Sequence, residues 1–531
     1  MPDDPAPAAL PVRDSYRWQV LIVVMIATLM AGLDSSIVNI ALPDMMAGFG
    51  TTVDNIEWVV TGYMLGYAVF IPMASWFKER LGSRRVFLGA VAVFTVGSGL
   101  CGLSWNLPSI IAARVFQAAG GGFITALAMS MVAEVFPPAE RGKAIGLWAM
   151  GVILGPALGP TLGGYLTLHL GWRSIFMVNL PIGLLTVVLG AALLREGGEA
   201  HPSQHKPFDA WGCLFFSLFL VSILLGLSQG EEKGWHSAYI ITCWILGSLG
   251  FLFFLMVEAA QPPGVGLVDL SLFKSPVFTS CILVTVGRPI GLFGATFLLP
   301  LFMQNLMGRD ELQSGLMLLP GSLLLALLMP AAGRLSDAMG PRWLVLIGSL
   351  GMGYFMVAYV GLDATSSDWA LIWPQLIRAF AISLMVAPVM AAALNSAPTH
   401  KSAQVSSLLN LTQQVFGSLG IAVLASYMDH RQHFHMLHLA GGMAPDAPAV
   451  LGQLRPVAWR ALELGYSHAD ARVLGFGVLA RNLGRAAAVR AFDDTFLFGA
   501  ILVTAACVAP ALMLPSRTVG HGKHEEPVIL E

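Results

Sequence analysis

Charge is what this sequence has least of. Asp, Glu, Lys and Arg together make up 11% of its 531 residues, against roughly 25% in an ordinary soluble domain. Hydrophobic residues reach 56%, and the mean hydropathy is +0.72. A soluble globular class is thereby excluded. The net charge of −2 leaves no electrostatic footprint for nucleic acid. Cysteine is also scarce. Cys101, Cys213, Cys243, Cys281 and Cys507 all lie in apolar segments without CxxC spacing. They read as small hydrophobes, with neither a disulfide nor a metal site expected. GxSxG, Walker A and HExxH patterns are missing too. No enzyme is expected, and an ion gradient replaces ATP as the expected source of drive, with no cofactor. A cleavable leader is not expected, because the first apolar run starts near Trp18 and exceeds 20 residues.

What is abundant is long apolar runs. A helix needs about 20 apolar residues to cross a bilayer, and fourteen segments qualify: 18–42, 57–77, 86–105, 108–132, 144–168, 174–193, 210–229, 237–257, 276–305, 314–332, 343–361, 370–395, 403–427 and 494–514. The expectation is an all-α polytopic membrane protein with both termini on one side. Sixteen Lys and Arg flank that side, whereas only Arg173, Lys233 and Arg309 lie in the short loops opposite. The positive-inside rule makes the basic side cytoplasmic. One connection is long, 428–493, on the outer side. Its part 440–449 is rich in Gly and Pro. The stretch 450–492 is rich in Ala, Leu and Arg, with Leu451, Leu454, Val457 and Ala461 at helical spacing. A small helical projection outside the membrane is expected there. His430, His433, His435 and His438 cluster beside it at irregular spacing, which reads as an exposed helix end rather than a zinc site.

The chain repeats itself. The loop 75–85, with Glu79, Arg80 and Gly82, is matched by 333–342, with Gly333, Asp337, Gly340 and Arg342. Each places an acid three residues before a glycine, at corresponding places in two six-helix blocks. The expected organisation is an N-terminal tail 1–17, a bundle 18–193, a linker 194–275 carrying helices 7 and 8, a bundle 276–515, and a C-terminal tail 516–531.

Residues 151–164, GVILGPALGPTLGG, set Gly151, Gly155, Gly159 and Gly163 on one helical stripe, with Gly164 beside it and Pro156 and Pro160 between. In a membrane such a segment stays helical. It bends at its prolines and lets another helix approach its bare face.

Ionisable residues deep in a membrane are costly and are functional candidates by default. Four qualify: Asp34, Arg114, Arg288 and Arg378. Asp34 and Arg114 sit at similar depth, roughly 10–13 Å from the outer face at ~1.5 Å per residue, so they can pair. Asn39, Gln117, Asn179, Gln304, Asn410, Gln413 and Gln414 are weaker candidates for hydrogen bonds to substrate or between helices.

These motifs together resemble the major facilitator superfamily, and within it the fourteen-helix drug:proton antiporters of EmrB/QacA type. LDSSIVNIALP (33–43), RVFQAAGGG (114–122), the 151–164 stretch, GWRSIFMVNLPIG (171–183) and the two repeated loops are similar to that branch's signatures. Ser75, Glu79, Ser83 and Ala118 depart from them. The resemblance implies two six-helix bundles plus two extra helices, and efflux of lipophilic small molecules against a proton gradient. Asp34 and Arg114 would couple the proton. Asn39, Gln117, Arg288, Gln304 and Arg378 would line the cavity, since helices 1, 4, 9 and 12 line it in this superfamily. The glycine stripe would face the other bundle and seal it. A periplasmic membrane-fusion adaptor and an outer-membrane channel are the implied partners, in a bacterial inner membrane. A dedicated exporter of a metabolite, such as a siderophore or aromatic acid, is the alternative.

Overall fold

The computed structural model describes residues 14–195, 209–261, 269–309, 311–398, 401–441, 456–457 and 459–516. Most of both tails, the polar part of the linker, and Leu451 and Leu454 lie outside them. All fourteen apolar segments are helical: α1 (Asp14–Phe49), α2 (Trp58–Phe70 and Met73–Leu81), α3 (Ser83–Gly102), α4 (Leu107–Val135), α5 (Arg141–Leu170), α6 (Asn179–Leu193), α7 (Ala210–Lys233), α8 (Ala238–Ala260), α9 (Pro276–Asn305), α10 (Glu311–Met339), α11 (Pro341–Val357), α12 (Asp368–Asn395), α13 (Ser402–Gly441) and α14 (His468–Met513). Among the described residues, eleven helices are long and apolar enough to span a bilayer, or thirteen if α2 and α5 each count as one bent span. The remaining helix, α11, is 17 residues long, so length and composition stop short of fourteen. No strand occurs among the described residues.

The bends have local causes. Proline removes a backbone donor and crowds the preceding turn. The halves of α2 meet at 52° around Ile71 and Pro72, and those of α5 at 41° between Pro156 and Thr161.

Helix pairing repeats. In the first block α5 packs on α1, α4 on α2 and α3, and α6 on α1 and α3. In the second, α13 packs on α9, α12 on α10 and α11, and α14 on α9 and α11. Between blocks α5 meets α10 and α12, while α13 meets α2 and α4. The two repeated loops share one backbone feature. Gly82 and Gly340 both adopt positive φ, +82° and +81°, a region that costs a side chain. The extra hairpin α7–α8 rests through α7 on α13 and on the first half of α2.

Among the described residues of 428–493, most are helical. α13 continues unbroken to Gly441, and α14 starts at His468 and runs for 46 residues. The projection is built from the spanning helices themselves. At its base Asp494 of α14 accepts hydrogen bonds from Arg431 and His435 of α13, both at 2.6 Å.

Candidate functional site

The first site is a sealed polar cluster inside the N-terminal bundle. Arg114 on α4 donates to Asp34 Oδ2 on α1 at 2.6 Å and to Gln117 Oε1 at 2.7 Å. Gln117 Nε2 and Asn179 Nδ2 donate to Asp34 Oδ1 at 3.0 and 2.8 Å. Asn179 also donates to Ser98 Oγ on α3, at 3.0 Å. Arg114 Nε donates to the Val59 carbonyl at 3.3 Å, and the guanidinium lies 4.0 Å from the centre of the Tyr63 ring. Asp34, Gln117 and Asn179 are fully buried and Arg114 is 1% exposed. An unpaired charge at such a place costs several kcal/mol in practice, and the web of partners offsets that cost.

The expected pair therefore forms, and Gln117 joins it. The pair does not line an open cavity, however. It is enclosed by α1, α2, α3, α4 and α6 of one bundle. Asn179 proves as close a partner of Asp34 as Gln117, and Ser98 and Tyr63 complete the shell. Their single polar atoms on otherwise apolar helices gave no signal in the sequence. Asn39 is not brought in; it shares an exposed face of α1 with Ser35, one turn away.

The glycine stripe is displaced from its expected neighbour. It faces α1 of its own bundle. A Cβ on Gly155 would lie 2.7 Å from Leu33 N and 2.8 Å from Leu29 O, and one on Gly159 would overlap Ser36 Oγ. Gly163 meets Ile37. Gly151 and Gly164 are roomier: their nearest neighbour is Met25 O at 3.6 Å for Gly151, and nothing lies within 4 Å of Gly164. The stripe thus clamps Leu33–Ile37, the turn that carries Asp34. Trp148 Nε1 adds a bond to Thr28 Oγ1 at 3.1 Å. The physical reason is that α5 has two small-residue faces. The one toward the other bundle is earlier in the helix, where Gly142 packs on Gly333 of α10 and Gly146 on Met329.

The two bundles are fastened on the side of the basic loops. Asp337 on α10 accepts from the backbone N–H groups of Gly142 and Lys143, both at 2.9 Å, capping α5. Arg141 donates to Asn395 at 2.8 Å. Lys78, ion-paired with Glu134, donates to Ser130 at 2.5 Å and to Ser402 at 3.2 Å. Ser406 and Ser407 donate to the carbonyls of Ala126 (2.8 Å) and Ile71 (3.1 Å), the latter at the bend of α2. Of the expected gate residues, Asp337 and Gly333 join this seam. Arg342 instead binds the Leu514 carbonyl at 2.7 Å within its own bundle, and Arg80 stacks on Trp76 at 5.4 Å. The serines of α13 at this seam were not anticipated; serine in a membrane helix is too common to stand out.

The C-terminal bundle buries two arginines. Arg288 on α9 is 3% exposed. Its one hydrogen bond among the described residues goes to Gln413 Oε1 at 2.7 Å, and its Nε has no partner. Arg378 on α12 is also buried and lies over the Phe355 ring at 5.9 Å. Gln304 is half-buried one turn beyond Pro300, and Asn410 spends its amide on the Ser406 carbonyl at 2.9 Å. Among the described residues, no group of His, Cys, Asp and Glu could hold a metal ion.

Three comparisons bear on this architecture. The family model described as Major Facilitator Superfamily matches residues 24–421. The chain is 31% identical over 443 residues to the multidrug export protein EmrB of Escherichia coli, covering 82% of this chain and 85% of that one. It is 32% identical over 412 residues to the riboflavin transporter RibZ of Clostridioides difficile, covering 77% and 88%. The crystal structure of the human organic anion transporter MFSD10 superposes with a TM-score of 0.57 at 15% identity, covering 92% of this chain and 99% of that one, a likeness of fold alone. The chain belongs to the major facilitator superfamily, within the group of the EmrB multidrug export proteins.

Proposed function

We propose that this chain is a proton-driven antiporter that exports lipophilic small molecules by alternating access, with both termini in the cytoplasm of a bacterium. The observation that carries the reading is Asp34, a fully buried carboxylate held by one arginine and two amides from two other helices. A proton drives a conformational change only if the two conformers bind it differently. Movement of α1 against α4 and α6 changes the partners of Asp34, and so its proton affinity. The helix that would transmit such movement is α5. Its glycine stripe clamps the Asp34 turn, and its first turn is capped by Asp337 of the other bundle. Replacing Asp34 with Asn should abolish active efflux while expression persists. Full transport by that variant under a proton gradient would exclude Asp34 as the carrier.

The substrates we propose are weak acids and neutral aromatic compounds rather than cationic dyes. Arg288 supplies buried positive charge in the second bundle, with one hydrogen bond among the described residues and its Nε unsatisfied, and an anionic group on a substrate would complete its hydrogen bonding. Cationic dyes as the best substrates, unaffected by a neutral replacement at Arg288, would sink this.

We further propose a periplasmic membrane-fusion adaptor and an outer-membrane channel as partners, docked through the helical projection. Undiminished efflux after deletion of 440–485 would count against them. The second reading, a dedicated metabolite exporter, is favoured by the relationship to a protein named for riboflavin transport. Proteoliposome transport of a compound panel, with and without a proton gradient, separates the two.

A further inference from the structure

We infer that the groove between the α7–α8 hairpin and α13–α14 is a second binding site, for a planar aromatic molecule carrying hydrogen-bond acceptors. It lies beside the turn between α7 and α8, against the middle of α13 and α14, apart from the buried clusters of both bundles. Its volume is about 530 Å³, and it is lined by Trp235, Trp244, Ser426, Tyr427, His430 and Phe498 among others. That is the size of a drug-like ligand site.

The walls are flat. Trp235 and Trp244 stack with ring centres 6.5 Å apart and planes 17° apart, and Tyr427 and Phe498 stack at 4.4 Å and 19°. The indoles are set in place by missing side chains: a Cβ on Gly230 would strike the Trp235 ring, and Gly226 sits 3.6 Å from Trp244 by the same measure. The groove continues into a polar chamber of about 260 Å³ lined by Trp235, Ser426, Asp429, His430 and His433. There Asp429 and His433 already face one another at 3.4 Å.

The polar atoms decide the class of ligand. Trp and Tyr normally spend their N–H and O–H on a partner. No hydrogen bond among the described residues engages the indole N–H of Trp235 or Trp244, the hydroxyls of Ser426 and Tyr427, or the His430 ring. The two indole N–H groups only donate, and the hydroxyls and the His430 ring can donate as well, around an otherwise apolar slot. An acyl chain would fill the slot and leave all of them unused. A planar aromatic with a carboxylate, carbonyl or ring oxygen stacks between the walls and meets them. Stacking on aromatic faces contributes beyond buried area, and each hydrogen bond fixes orientation.

The inference holds whether or not Asp34 carries the proton, because binding at this groove needs no transport. The test uses the full chain in nanodiscs and an aryl-azide derivative of 2-naphthoic acid. After photolysis, the label is expected on peptides containing Trp235, Trp244 or 426–430, and excess 2-naphthoic acid should compete it away. Ser426→Phe, which fills the slot from α13, should cut labelling at least tenfold, as should Trp235→Ala. Two variants from opposite walls guard against one failing to fold, and each is checked for a monodisperse profile. Label found mainly elsewhere, label undiminished in both folded variants, or a phospholipid retained in the groove and not displaced by the probe would overturn the proposal.

Discussion

The carboxylate of Asp337 caps the first turn of α5 across the bundle boundary, each oxygen accepting one backbone N–H at 2.9 Å, from Gly142 and from Lys143. Residues at such caps contribute about 0.5–2 kcal/mol. On the alternating access proposed above, opening the basic-loop side would break this cap, so its energy would belong to one conformer. Asp337→Ala should therefore shift the equilibrium toward the form open on that side by roughly 2- to 30-fold. Spin labels at positions 85 and 334, in a background lacking the five native cysteines, would report it as a longer distance population. An unchanged distance distribution would show that the remaining contacts, Lys78–Ser402 among them, set the equilibrium alone.

The glycine stripe is graded, and the gradation is testable. Gly155→Ala and Gly159→Ala force a Cβ into the backbone or side chains of Leu29–Ile37. Overpacking of this kind costs about 1–3 kcal/mol, and here it moves the turn that holds Asp34. Transport should fall by tenfold or more with the protein still inserted. Gly151→Ala and Gly164→Ala, with nothing closer than 3.6 Å and 4 Å respectively, should transport normally. If all four behaved alike, the clamp on α1 would not be the function of the stripe.

Arg288 predicts a conflict between stability and activity. Replacing a buried charge by an apolar residue of similar volume is often neutral or stabilising by about 1–4 kcal/mol, because the desolvation cost disappears. Among the described residues, Arg288 makes one hydrogen bond and leaves its Nε unsatisfied. Arg288→Met should raise the melting temperature in detergent or leave it unchanged, and abolish transport of carboxylate-bearing substrates. A lowered melting temperature would mean that the Gln413 contact carries more of the fold than the desolvation removes.

How much of this was legible in the sequence differs from element to element. The helices were, because a membrane demands long apolar runs whatever lies beside them. The pairing of Asp34 with Arg114 was, because a buried acid needs a cation and depth can be counted along a helix. The direction of the stripe was not. Spacing shows that Gly155 and Gly159 share a face, but only packing tells whether that face meets α1 or α10. The helical character of 450–492 was legible from its composition, but its continuity with α14 was not: Arg481, Arg485 and Arg490 interrupt the apolar pattern while leaving helix propensity intact. Nor could single polar atoms such as those of Ser98 and Ser402 be told from the ordinary serines of membrane helices.

The linker offers a pH test away from the membrane core. Burial pushes the Asp269 carboxyl up, but hydrogen bonds from Lys401 and Ser271 outweigh it and hold the group below its ordinary value. Lys401 immediately precedes α13 and lies 2.5 Å from the carboxylate, so the pair ties the linker to the helix that carries Ser402. The sign follows from the direction. A carboxyl with a depressed folded value binds fewer protons folded than unfolded, so its contribution is whole above the unfolded Asp value, about 4. It is lost as pH falls through the folded value. Melting temperature should thus decline more steeply with acid below pH ~4 in the parent than in Lys401→Met, where the depression is largely removed. Parallel acid profiles for the two proteins would show that the remaining Ser271 contacts suffice to hold the carboxylate ionised.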